Sequence, residues 1–154
     1  MQNTFAHSPF TLPHELSVFP LSGVLLLPNG RLPLNIFEPR YLSLVLDSFR
    51  EERLIGMVQT TQIARDPVPD DAELFKIGCL GKIVSFAEIP DGRFHIMLEG
   101  ICRYTIQQDL GIRNGYRRVS PDFSLFEGDM KDPIHKIDRE GFKELLKQYF
   151  KMSI

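Results

Sequence analysis

The chain has no tryptophan, only two cysteines and only four histidines. Two cysteines cannot build the dense disulfide framework that holds small secreted domains together. Stability must therefore come from a core. The 154 residues suffice for one, because a chain of this size buries roughly 70% of its extended surface. Neither sign of charge dominates: 18 Lys plus Arg face 20 Asp plus Glu, a net of −2. That balance supplies no overall basic field for a nucleic acid. No apolar run approaches the ~18 residues of a membrane span. No Lys or Arg precedes Arg31, so the basic start of a secretory signal is also missing. These absences point to a soluble cytoplasmic protein of one domain, with no membrane partner.

Signatures of catalysis are missing too. His14-Glu15 opens like a zinc-protease helix, but Val18 stands where the second histidine is required. Gly81-Lys82 runs into Ile83, and Lys76 replaces the first glycine of a phosphate loop. Neither a nucleophile elbow nor a dinucleotide fingerprint occurs. His7, His14, His95 and His135 lack metal-ligand spacing, so neither a metal nor a cofactor is expected. Cys79 and Cys102 fall in strand-like patterns without a Cys-x-x-Cys unit. They read as small buried apolar residues with free thiols.

What is present reads mostly as strands. Residues 1–14 lack periodicity and form a lead-in. Short apolar segments follow at 16–19 and 32–36, interrupted by Pro20 and Pro33, a pattern that suits sheet edges and corners. Val24-Leu25-Leu26-Leu27 is compatible with a buried strand or an exposed apolar loop. Glu38-Pro39 opens a helix, with Tyr41, Leu42, Val45, Leu46 and Phe49 at helical spacing. A strand is expected at 54–60 and a solvated acidic loop at 62–73. Long strands are expected at 75–89 and 93–106, joined by Pro90-Asp91-Gly92, where proline presets φ and glycine accepts a positive one. Glu99-Gly100 interrupts the second strand's alternation and predicts a bulge. A last strand is expected at 116–123. From Asp138, the residues Phe142, Leu145, Leu146, Tyr149 and Phe150 form an apolar stripe opposite Lys143, Glu144, Lys147 and Lys151. Such a stripe docks on its own barrel or pairs two copies through the C-terminal helix. The expected fold class is mainly β with helices (α+β). A barrel of mostly antiparallel strands spans 15–125, with one inserted helix. Residues 126–154 form a connector and the start of a helical region.

The ordered motifs resemble a known family. Leu16-Ser17-Val18-Phe19-Pro20-Leu21, Leu32-Pro33-Leu34 and Glu38-Pro39-Arg40-Tyr41 are similar to the opening of the Lon protease N-terminal domain. Ile77-Gly78-Cys79-Leu80-Gly81-Lys82-Ile83 resembles its next strand motif. Pro90-Asp91-Gly92, continuing to Leu98-Glu99-Gly100-Ile101-Cys102-Arg103, resembles its hairpin. The Glu-Pro-Arg-Tyr variant is closer to the stand-alone bacterial members. The resemblance implies a PUA-like pseudo-barrel that recognises polypeptides. It does not carry over peptidase activity, since a chain ending at Ile154 leaves no room for the ATPase and peptidase modules.

Two surfaces are candidates for binding. Leu25, Leu26, Leu27, Phe37, Arg40 and Tyr41 would form a polypeptide-binding surface, with Phe126 nearby. Arg113, Arg117 and Arg118 around Tyr116 would form an RNA contact with a stacking platform; this reading is disfavoured, because three cations are few. The family-pattern positions Pro20, Pro33, Glu38, Gly78, Asp91, Gly92, Glu99, Gly100 and Arg103 are read as structural. Within that set, Glu99 and an arginine are expected to tie the bulge to the helix start.

Overall fold

The computed structural model of the chain describes residues 11–63, 67–131, 143–144 and 147–148. Its elements run β1 (Leu16–Leu21), β2 (Arg31–Ile36), α1 (Pro39–Ser48), β3 (Leu54–Gln59), β4 (Ile77–Glu88), β5 (Phe94–Arg113), β6 (Tyr116–Asp122) and a 3₁₀ segment (Ser124–Met130). The strand order is β2-β5-β4-β3-β1-β6, and β5 pairs with β6 as well. Five strands thus close into a ring, with β2 as an edge outside it on β5. The β1–β3 pair is parallel and the other pairs are antiparallel. This is the expected mainly β pseudo-barrel with one inserted helix.

Burial follows from the pleat. Along β5, Phe94, Ile96 and Leu98 are buried while His95 is exposed, as alternate residues facing a core require. β1 and β3 are covered on both faces. Phe19, Ile55 and Met57 join one cluster with Tyr41, Leu44 and Val45 of α1. Leu16, Val18, Leu54 and Val58 join another with Tyr104 and Phe123. The helix starts at Pro39 as its sequence predicts, with the Glu38 carbonyl accepting from the Tyr41 and Leu42 N–H groups. Its buried face differs from the expected stripe. Leu44 is fully buried, whereas Leu46 is 53% exposed. The apolar face of α1 runs through Tyr41, Leu44, Val45 and Ser48, and Ser48 satisfies itself by donating to the Val45 carbonyl at 2.6 Å.

Other departures have local causes. Pro33 lies on the edge strand β2, as expected. Pro20 lies instead in β1, between β3 and β6, but the β1–β6 register covers only Leu16 and Ser17. The missing donor is tolerated because the β6 pairing has already ended. Strand β5 continues to Arg113, seven residues past the expected end at 106. That extension is exposed throughout, Leu110 and Ile112 included, and carries two register shifts, so it has no buried face and is ordered by pairing with β6. Asn114-Gly115, with φ of 51° and 91°, turns the chain back. Of the expected C-terminal helix, Lys143, Glu144 and Lys147 are helical and exposed. Asp138, Lys151 and the stripe from Phe142 to Phe150 lie outside the described residues, as do His7, His135, Arg65 and Asp66.

One carboxylate joins helix to barrel. Asp47 accepts from the Tyr116 hydroxyl at 2.6 Å and from the Asn114 amide at 2.9 Å, and those hydrogen bonds hold its pKa below the usual value. A lowered folded pKa contributes stability that is present above the unfolded value of about 3.9 and is lost as pH falls through the folded one. Thermal melts should therefore be flat from neutral pH down to about 5 and drop below about 4. Asp47→Asn should make that drop shallower, by a small amount since the carboxylate meets water. Identical acid limbs for both proteins would show that the clamp contributes nothing.

Candidate functional site: an apolar groove beside a bulged strand

The site begins with a mismatch between two strands. β3 and β4 pair in register down to Met57 opposite Cys79. The ladder resumes where the Phe75 N–H donates to the Gln59 carbonyl at 2.9 Å, next to the Thr60–Leu74 bridge. Lys76, Ile77 and Gly78 therefore face the single residue Val58. A bulge re-aims side chains that a regular ladder would hold. Here Phe75 and Ile77 are left 50% and 52% exposed.

The opposite wall is the loop between β1 and β2. Leu26 is buried in the core, while Leu25 and Leu27 on either side are 64% and 53% exposed. The tetrapeptide is thus an apolar loop with one inward residue. Its position is set by backbone: the Asn29 N–H donates to the Gly100 carbonyl at 2.8 Å, and the Gly100 N–H donates to the Gly30 carbonyl at 2.9 Å. A Cβ on Gly100 would collide with the Leu27 carbonyl, so the loop can lie this close only because residue 100 is glycine. The expected bulge is present here: Gly100 pairs with Gly81 and Cys102 with Leu80, leaving Ile101 unmatched.

Between these walls lies a groove of about 380 Å³, with Met57, Val58 and Cys79 among its lining residues. Tyr104, fully buried beneath, donates from its hydroxyl to the Met57 carbonyl at 3.1 Å. A side chain at Gly78 would strike both groups, which accounts for glycine there. Burial pushes the Cys79 thiol up to about 12 and that of Cys102 up to about 11; both cysteines are free. Arg103 closes one end. Its guanidinium donates to both Asp129 oxygens at 2.8 and 2.9 Å and lies 4.6 Å from the Phe126 ring centre.

The structure splits the candidate polypeptide surface in two. Leu25, Leu26 and Leu27 line the groove. Phe37, Arg40 and Tyr41 line separate depressions around the start of α1, with Val68. There Arg40 donates to Glu38 at 3.0 Å, Asp70 at 2.8 Å and the Val68 carbonyl at 2.7 Å. Tyr41 is buried and stacked on Phe19 at 4.1 Å. Phe75 and Ile77 are the exposed apolar groove residues that the sequence alone did not place in a binding surface, and Lys76 between them was missed as well. The signal of the apolar pair was two large apolar residues at the start of a strand, which reads equally well as core.

The expected charged cluster does not assemble. Glu38 pairs with Arg40 and Arg103 with Asp129. Glu99 meets Arg31 of the edge strand at 3.8 Å, not an arginine at the helix start. The bulge faces β2 and the loop, away from α1. Asp91 accepts from the Arg93 backbone at 3.2 Å inside its turn, and Gly92 has φ of 90°. The RNA candidates are engaged within the fold: Arg113 pairs with Glu51, Arg117 with Asp109, and Arg118 with Glu15 and Glu51. Tyr116 is 1% exposed, so its ring offers no stacking platform.

Fold and groove together define a class, a PUA-like pseudo-barrel carrying an open apolar groove. The chain belongs to the family of the ATP-dependent protease La (LON) substrate-binding domain, whose model matches residues 15–153. The Lon protease of Dictyoglomus thermophilum is 30% identical over 144 residues, which cover 92% of this chain and 17% of that protein. The Lon protease of Anaeromyxobacter dehalogenans is 26% identical over 95 residues, covering 62% and 11%. The chain thus spans a small part of the length of these relatives. Among solved structures, a Lon N-terminal domain protein from Xanthomonas campestris is similar with a TM-score of 0.56 and 29% identity, covering 71% of this chain and 59% of that one. The N-terminal domain of the Mycobacterium avium complex Lon protease shares the fold, with a TM-score of 0.51, 14% identity and coverage of 90% and 69%. These findings agree with the resemblance in the motifs. Among the described residues, no helix is long and apolar enough to cross a membrane.

Two outcomes follow from this geometry. Gly100→Ala should destabilise the protein by about 1–3 kcal/mol, the range for forcing atoms into a packed site. It should also displace the loop, read as chemical-shift changes at residues 25–30; an unchanged melting temperature and loop would refute the contact. Both thiols should react slowly with a disulfide reagent at pH 8 in native buffer and rapidly in denaturant, because the thiolate is the reactive form. Fast native labelling would place a thiol outside the core.

Proposed function

We propose that this domain recognises exposed apolar segments of polypeptides in the groove between the 24–27 loop and the 76–78 bulge, as a binding module without catalysis of its own. One observation carries the proposal. Leu25, Leu27, Phe75 and Ile77 all stand at least half exposed around one groove, held there by backbone geometry. Contiguous exposed apolar surface of this kind marks an interaction site, and the walls are set before any partner arrives, which lowers the ordering cost of binding. The groove's thiol, that of Cys79, is buried with its pKa pushed up, so it offers no ready nucleophile. Membership in a substrate-binding domain family points the same way.

A blocked pentapeptide, acetyl-Gly-Leu-Phe-Leu-Gln-amide, titrated into isotopically labelled protein provides the test. Resonances at residues 24–27, 57–59 and 75–79 should shift. Ile77→Asp should weaken binding by about tenfold, the equivalent of one partly lost apolar contact, while the melting temperature stays within a few degrees, as for surface changes. Saturating peptide that leaves those resonances in place would overturn the proposal.

A further inference from the structure

The groove is apolar along its floor, and the charges on its rim share one sign. Lys76 and Arg103 line it, and no carboxylate does. The two cations differ in how they are held. Arg103 is neutralised by Asp129, through its guanidinium and its backbone N–H at 3.0 Å. Lys76 belongs to the bulge. Its carbonyl is fixed by the Ile106 N–H at 2.7 Å, while its ammonium has no ion pair among the described residues. The bulge therefore fixes the backbone of a long cationic residue beside an apolar surface, with its charge not paired to any carboxylate among the described residues.

We infer that Lys76 makes the groove selective for apolar segments that carry a carboxylate beside their apolar side chains. The inference rests on the groove being the polypeptide site and goes beyond it by naming the class of segment. A carboxylate next to a buried leucine or phenylalanine would reach the ammonium without leaving water, so the pair forms at little desolvation cost. A basic neighbour would meet like charge. Because the lysine stem is flexible, the preference concerns composition near the apolar anchor and not one fixed spacing. The overall charge of −2 opposes it; the selectivity is local, and salt screens it.

The test compares acetyl-Gly-Leu-Phe-Leu-Glu-amide with its glutamine counterpart, using the intact chain, Lys76→Gln and Lys76→Glu. Lys76 is exposed, so both variants should fold. At low salt the glutamate peptide should bind about two- to fivefold more tightly, the range for an exposed ion pair. The gap should close in about 0.5 M salt and in Lys76→Gln, and it should reverse in Lys76→Glu. The glutamate peptide should lose more affinity than the glutamine peptide on going from the unaltered chain to Lys76→Gln. Equal affinities for the two peptides, or a gap that survives Lys76→Gln, would overturn the assignment to Lys76 and leave the groove reading intact. Failure of both peptides to bind would instead remove the groove reading, and this inference with it.

Discussion

Strand β5 must serve three partners, two along its first half and one along its second, and the rest of the molecule depends on how it manages this. Its first half pairs with β2 and β4, and its second half with β6. A regular strand of 20 residues could not turn through a closed ring; the unmatched Ile101 and the later register shifts supply the bend. Closure brings β6 alongside β1, and with α1 packed on their other face both sides of β1 and β3 are buried. It also places Gly100 where the 22–30 loop can rest on bare backbone, and Arg103 where it meets Asp129. The curvature of the barrel and the shape of the groove thus have one origin.

The groove is a consequence of strand pairing, and no element is added to make it. Three residues leading into β4 oppose one of β3, and the surplus is turned outward. Tyr104 fills the space beneath, and its hydroxyl donates to the Met57 carbonyl on the facing strand. Side chains presented in this way have their positions set by backbone hydrogen bonds, so they remain exposed without being free. That combination is what recognition of an incoming apolar segment requires.

Much of the fold was legible in the chain. Pro39 after Glu38, the Pro90-Asp91-Gly92 turn and the alternation of Phe94, Ile96 and Leu98 each encode a local geometry that tertiary structure keeps. Gly100 announced a bulge because glycine inside a strand has few other uses. The failures share a cause. Leu44 in place of Leu46, the extension of β5 to Arg113, and the partner of Glu99 were all decided by which element lies opposite, and periodicity carries no such information. The groove was half legible. Leu25 and Leu27 were conspicuous as apolar residues among turn formers, whereas Phe75 and Ile77 resembled ordinary strand residues. Only the mismatch with β3 turns them outward, and pairing at that distance in sequence cannot be read from either strand alone.

A pseudo-barrel whose sixth strand, β2, lies outside the ring still has one open sheet edge. Every open sheet edge is a template on which a foreign strand can add, and repeated addition leads to fibrils. The outer rim of β2 carries Pro33, which has no N–H to offer, and Arg31, whose charge is exposed. An extended segment approaching this rim therefore meets an interrupted row of donors. The proline in the edge strand thus leaves a gap in the row of donors along which a further strand would have to pair.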